Sequence, residues 1–180
     1  MMKLENILLI AGSGRNVGKT FLACYLIEKF SLQYNITALK ISPHFHPEIN
    51  NNNKRIYQTD NVIIQKETNR ETLKDSSRML NAGASEVYYL QVNDQNIAEA
   101  LQALDQHNFR EKPIICEAAS LRKFIVPGIL FFVEKKSEIL VDKNSDMKQL
   151  ADIILPSNFD TKDVKINDIW FDGLKWQMAN

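Results

Sequence analysis

Cysteine is scarce in this chain: Cys24 and Cys116 are the two present, and they form no Cys-x-x-Cys pair. Both sit in apolar surroundings, which argues against a disulfide framework or a cysteine-based zinc site and for reduced core residues of a cytoplasmic protein. Excess charge of either sign is missing too. Lys+Arg and Asp+Glu both number 22, so the formal net charge is zero, which argues against the broad basic surface of a nucleic-acid binder. No apolar run is long enough to span a bilayer, and the N-terminus turns glycine-rich after Ile10, unlike a signal peptide. Neither a membrane nor a nucleic acid is therefore expected as a partner. The sequence shows no internal repeat, and no second domain is expected. With 180 residues, 44% of them hydrophobic, the chain reads as one domain over residues 1–180 with a real core.

What is present is concentrated near the N-terminus. Gly12-Ser13-Gly14-Arg15-Asn16-Val17-Gly18-Lys19-Thr20 lies between the apolar run Ile7-Leu8-Leu9-Ile10 and a helix-like run, Thr20 to Phe30. A glycine-rich turn between a buried strand and a helix turns backbone N–H groups toward one point. The helix N-terminus adds its dipole, Lys19 a positive charge, and Thr20 a hydroxyl for Mg²⁺. That set of groups suits nucleotide phosphates, with residues 12–20 and the following Phe21 as the nucleotide-binding candidates. In the usual phosphate loop, glycine precedes four residues and then Gly-Lys-Ser/Thr. Here Ser13 takes the first slot, and Gly12 lies one place earlier. Dethiobiotin synthetases have a similar spacing.

The rest of the chain alternates strand-like and helix-like segments, which predicts an α/β fold with a mostly parallel sheet covered on both faces. Strands are expected at 37–41, 62–64, 87–90, 113–116, 129–133 and 152–155, and helices at 73–82 and from Asn93 or Asp94 to about His107. Gly83 and Pro156 act as stops. Residues 43–60 contain Pro43, Pro47 and four consecutive asparagines, and read as a long mobile loop. The tail from Ile166 to Trp176 is weakly strand-like. Trp170 and Trp176 suit core or dimer surface.

Carboxylates for a cation are sought where parallel strands end, because open sheets bind ligands at that edge. Glu117 closes the apolar Pro113-Ile114-Ile115-Cys116 and fits a Mg²⁺ role; the alternative is a solvated loop start. Asp75 is either a cap or first-turn acid of its helix or a second group near the metal. Asp60 reads more simply as part of a turn. Lys19 and Glu117 are the catalytic candidates. Lys40 ends the second strand, where it meets a substrate or phosphate, or only solvent. Arg122 contacts an anion or supports the loop after Glu117. His44 and His46 suit either an incomplete metal site or ordinary loop residues.

Together these residues resemble the molybdopterin-guanine dinucleotide biosynthesis protein B (MobB) family. The likeness runs from Ile7 to about Val133. It rests on the phosphate loop, on Ala38-Leu39-Lys40 with a histidine-containing loop after it, on Lys74-Asp75-Ser76, on Ala82-Gly83-Ala84, and on the strand ending in Glu117. The resemblance implies a three-layer P-loop NTPase fold of the dethiobiotin synthetase-like class. It also implies Mg²⁺ with GTP or ATP, a cytoplasmic homodimer, and a role near molybdenum-cofactor maturation beside another maturation protein. It places Thr20, Asp75 and Glu117 near the magnesium and Lys19 on the phosphate. Two departures stand out. Glu117 is followed by Ala118 rather than glycine, and Val141-Asp142-Lys143-Asn144 does not supply the guanine-selecting Asn-Lys-x-Asp.

Three functions are compatible with these residues. The first is a nucleotide-binding accessory protein with slow hydrolysis. The second is an ATP-dependent small-molecule kinase or ligase like dethiobiotin synthetase. The third is a metallochaperone-type module using His44 and His46.

Overall fold

The computed structural model describes residues 1–45, 54–118, 120–135 and 145–179. The run Ile7–Ile10 forms the middle of a long strand, β1 (Met2–Gly12), and α1 (Lys19–Phe30) follows the glycine-rich turn. In α1 the residues Leu22, Ala23, Leu26, Ile27 and Phe30 are buried, a spacing that keeps one helical face on the sheet. The chain continues through β2 (Thr37–Ser42), β3 (Lys54–Gln58), β4 (Val62–Lys66), α2 (Asp75–Asn81) and β5 (Glu86–Val92). Then come α3 (Ile97–Asp105), β6 (Ile114–Glu117), β7 (Ile125–Glu134), α4 (Ser145–Gln149) and β8 (Ile153–Pro156). A small antiparallel pair, β9 (Ile169–Phe171) and β10 (Trp176–Met178), completes the described chain.

Eight strands make one sheet in the order β3-β4-β5-β2-β6-β1-β7-β8. From β5 to β8 all neighbours are parallel; β4 runs antiparallel to β5, and β3 to β4. On one face Leu8, Ile10, Ala38, Val87 and Ile115 pack with α1, α2 and the C-terminal segment. On the other, Ile7, Leu9, Leu39, Leu90 and Cys116 pack with α3. Three layers result, as expected for strands buried on both faces. β6 lies between β1 and β2, so the chain passes over β6 before β6 exists. The C-terminal ends of these three strands therefore lie side by side at the end of the sheet where open α/β folds take ligands.

The structure corrects several boundaries. The irregular stretch expected over 43–60 contains β3, whose Lys54–Gln58 pairs with β4 across a short turn closed by Thr59 N–H to Val62 O at 2.8 Å. Tyr57 anchors that strand by donating to Glu99 of α3 at 3.0 Å. Residues 46–53, including His46, lie outside the described residues. Asp60 is exposed in the β3–β4 turn. Asp75 opens α2 as a first-turn acid, while Lys74 is the N-cap. Asn93, rather than Asp94, accepts the capping hydrogen bond ahead of α3, from Asn96 N–H at 3.2 Å. Among the described residues no helix is long and apolar enough to cross a membrane.

The C-terminal tail is more than a weak strand. Trp176 is 1% exposed, donates its indole N–H to Ile114 O at 3.1 Å, and meets the rings of Phe30 at 4.8 Å and Phe171 at 5.4 Å. Trp170 is 40% exposed. Trp176→Ala leaves an aromatic-sized void and an orphaned carbonyl, so it is expected to lower unfolding free energy by about 3 kcal/mol. Urea unfolding with an unchanged midpoint would remove the tail from the core.

Candidate functional site

The phosphate loop begins where β1 runs out. Gly12 is opposite Val133 of β7. A Cβ on Gly12 would lie 2.6 Å from the Val133 carbonyl oxygen, so no side chain fits. Ser13 donates its N–H to that same oxygen at 3.0 Å, and its hydroxyl accepts from Lys135 N–H at 2.9 Å. The serine in the first glycine slot thus ties the loop to the end of β7. The loop then turns through two left-handed residues, Asn16 with φ 57° and Gly18 with φ 102°. Gly18 is the N-cap of α1, and its carbonyl accepts from Leu22 N–H at 3.0 Å. Lys19 and Thr20 therefore open the helix, with the amides before them turned to its positive end.

Lys19 donates its ammonium to the Gly14 carbonyl, reaching back across the loop. Burial lowers its pKa, and the neighbouring Lys40 charge acts in the same direction against the pull of Glu117 and Asp75. Its charge is thus held at a point where an anion would relieve it.

A second cluster stands beside the first. Glu117, 2% exposed, ends β6 between Ile10 of β1 and Lys40 of β2. Its Oε2 accepts from Thr20 Oγ1 at 2.8 Å. Its Oε1 accepts from Lys40 Nζ at 2.5 Å. The same ammonium lies 2.7 Å from Asp75 Oδ2 at the start of α2. Burial opposes the Lys40 charge, but Glu117 and Asp75 outweigh it and raise its pKa. Asp75 is likewise pulled below the usual carboxylate range: burial opposes this, but its bond and charge interaction with Lys40, then Thr20 and Arg78, overcome it.

Four sequence-predicted residues, Thr20, Lys40, Asp75 and Glu117, thus meet at one place. Two carboxylates and a hydroxyl are hard oxygen donors of the kind Mg²⁺ takes. The Lys40 ammonium between the carboxylates is a stand-in cation, so the donor set fits the metal that the phosphate loop implies.

Other expected residues separate from this cluster. Arg122 donates to Ile125 O at 3.1 Å, at the start of β7, and contacts Met1 Sδ at 3.2 Å. It braces the N-terminal end of β7, because the chain from Glu117 must return to the start of that strand. His44 shares a 3.1 Å hydrogen bond with the Arg15 guanidinium of the phosphate loop. Among the described residues no group of three or more His, Cys, Asp or Glu is placed to hold a metal. Cys116 is fully buried and Cys24 partly so, both free; burial pushes the Cys24 thiol up to about 11.

Sequence reading missed Phe159. It follows β8, and its ring lies 5.6 Å from the exposed Phe21 ring and 3.4 Å from where a Cβ on Gly18 would be. The strand ended by Pro156 was the available signal, since it brings the next residues to the edge that carries the phosphate loop.

No protein-family model matches the sequence, and no curated protein matches it. Among solved structures, LpxK from Aquifex aeolicus, determined in complex with ATP, superposes with a TM-score of 0.52 at 12% identity. The match covers 94% of this chain and 52% of LpxK, so this chain spans about half of LpxK's length. At that identity the likeness is one of fold: the chain has an α/β P-loop NTPase fold with a mostly parallel central sheet.

Proposed function

We propose that this chain binds a Mg²⁺–nucleoside triphosphate, ATP or GTP, and hydrolyses it slowly. The observation that carries the reading is the meeting of Thr20, next to Lys19 in the first turn of α1, with Glu117, which shares the Lys40 ammonium with Asp75. In this reading the amides from Gly14 to Thr20 and the Lys19 ammonium hold the phosphates. Thr20, Glu117 and Asp75 hold the cation, which when bound neutralises charge on the β- and γ-phosphate oxygens. Lys19, partly buried and pushed toward a lower pKa, gains most from an anion. Catalysis is then chiefly positioning and charge neutralisation, consistent with slow turnover.

Thermal denaturation with ATP, GTP and ADP, each with and without Mg²⁺, tests this. A ligand bound by the native state alone stabilises it by about 2.7 kcal/mol at a hundred times its Kd. One Mg²⁺–triphosphate is expected to raise Tm more than the metal-free form does. No shift with any nucleotide at millimolar concentration, and no heat in calorimetry, would overturn the reading.

The MobB-like role belongs to the same proposal: an accessory protein of molybdenum-cofactor maturation, a cytoplasmic homodimer whose turnover responds to a protein partner. The Lys40, Lys74-Asp75-Ser76 and Glu117 positions support it, since the residues that carry the resemblance also carry the cluster. Sedimentation of the 20.7 kDa chain as a dimer is the expected result. Turnover stimulated by a small metabolite rather than a protein would favour a dethiobiotin synthetase-like kinase or ligase instead.

A further inference from the structure

We propose that Lys40 is a tethered counter-ion occupying the divalent-cation seat: its ammonium holds Glu117 and Asp75 when no ligand is bound and must leave them for a cation to enter, so that cation and nucleotide bind as one unit. This rests on the nucleotide reading above and assigns the same site a means of rejecting bare metal.

The geometry is the first argument. One ammonium lies 2.5 Å from Glu117 Oε1 and 2.7 Å from Asp75 Oδ2. A Mg²⁺ taking those oxygens at roughly 2.0–2.1 Å needs nearly the same point, and two cations cannot share it. Glu117 is engaged on both sides, Oε2 by Thr20 and Oε1 by Lys40. Lys19 is not the residue neutralising these acids, because its ammonium turns to Gly14 O. The two lysines therefore divide the work, one serving the loop and one the carboxylates.

Charge is the second argument. Asp75 and Glu117 oppose Lys19 and Lys40, and Arg78 lies 3.9 Å from Asp75, so these five groups sum to +1. A bare divalent cation approaches a site with no excess negative charge and must break a partly buried, doubly paired ammonium away from its partners, leaving that ammonium with none. A nucleotide changes the balance. Its phosphate oxygens offer Lys40 new acceptors while the metal takes the carboxylates, and the flexible four-carbon stem of lysine allows the shift. Nucleotide and metal therefore strengthen each other's binding, and by linkage the factor is equal in both directions.

Mn²⁺ binding without nucleotide, read by the free Mn²⁺ paramagnetic-resonance signal, tests this in wild type and Lys40→Met. The variant is expected to bind Mn²⁺ at least about tenfold more tightly, because the competing cation is gone. Adding Glu117→Gln to Lys40→Met is expected to abolish that gain. ATP is expected to tighten Mn²⁺ binding more in wild type than in Lys40→Met. Equal Mn²⁺ affinity in wild type and variant would overturn the proposal. Should Lys40→Met prove unfolded by circular dichroism, Lys40→Gln keeps a polar head without the charge and carries the same expectation and the same refutation. Wild type that binds ATP while both proteins bind Mn²⁺ equally loses the counter-ion and keeps the function. A tenfold gain in a protein indifferent to every nucleotide keeps the counter-ion and loses the function.

Discussion

Lys19→Ala is expected to weaken the proposed ATP or GTP binding by about a hundredfold or more while leaving the fold in place. A charge-assisted hydrogen bond contributes roughly 1.5–3 kcal/mol, and the lysine at this position reaches two phosphate groups in the proposed complex. Its ammonium donates to the carbonyl of Gly14, at the exposed side of the loop. Removing it takes nothing from either face of the sheet. Isothermal titration gives the affinity, and urea unfolding shows that stability is kept. An unchanged Kd with ATP would place the phosphates elsewhere and remove Lys19 from the proposed mechanism.

Gly128→Val has the largest expected effect on stability. Between Leu4 and Leu8 the register of β1 against β7 is irregular: Leu4 is opposite Pro127 and Leu8 opposite Ile129. One residue of β7, Gly128, thus faces a wider stretch of β1. A Cβ there would sit 2.2 Å from the Glu5 carbonyl oxygen and 2.8 Å from that of Trp176. Both obstacles are backbone, so no side-chain rotation relieves them. The strand must separate from β1 or from β10, next to the buried Trp176. The expected loss is at least about 4 kcal/mol, among the larger effects of a single substitution. Chemical denaturation at 25 °C measures it, and a loss under 1 kcal/mol would show that the irregular register is soft.

Much of the fold was legible because its signals are local. The continuous apolar runs at Ile7–Ile10 and Ile114–Cys116 match central parallel strands, and Gly83 falls just past the end of α2. The phosphate loop was legible for the same reason: the turn, the helix start and the lysine are neighbours in sequence. β3 was less so. Its Lys54-Arg55-Ile56-Tyr57-Gln58 is polar enough to read as loop, and its partner strand and the Glu99 acceptor decide its conformation. The candidate site was half legible. Glu117 and Asp75 were identifiable one at a time, each by its place at an element's end. That a single Lys40 ammonium joins them depends on β6 lying between β1 and β2, an order no local pattern encodes. The place of Arg122 was not legible for a related reason: the segment after Glu117 carries it to the N-terminal end of β7.

The late insertion of β6 has a consequence for how this protein matures. Thr20 and the carboxylate it bonds are 97 positions apart, so a nascent chain that has released only its first hundred residues carries an intact glycine-rich motif and no seat for a cation. Under the proposed function, ligand capture belongs to the completed sheet, because Glu117 meets Thr20 only with β6 in place between β1 and β2. Nucleotide added to refolding protein should accordingly speed nothing before that insertion and slow only global unfolding, acting as a latch on the completed domain.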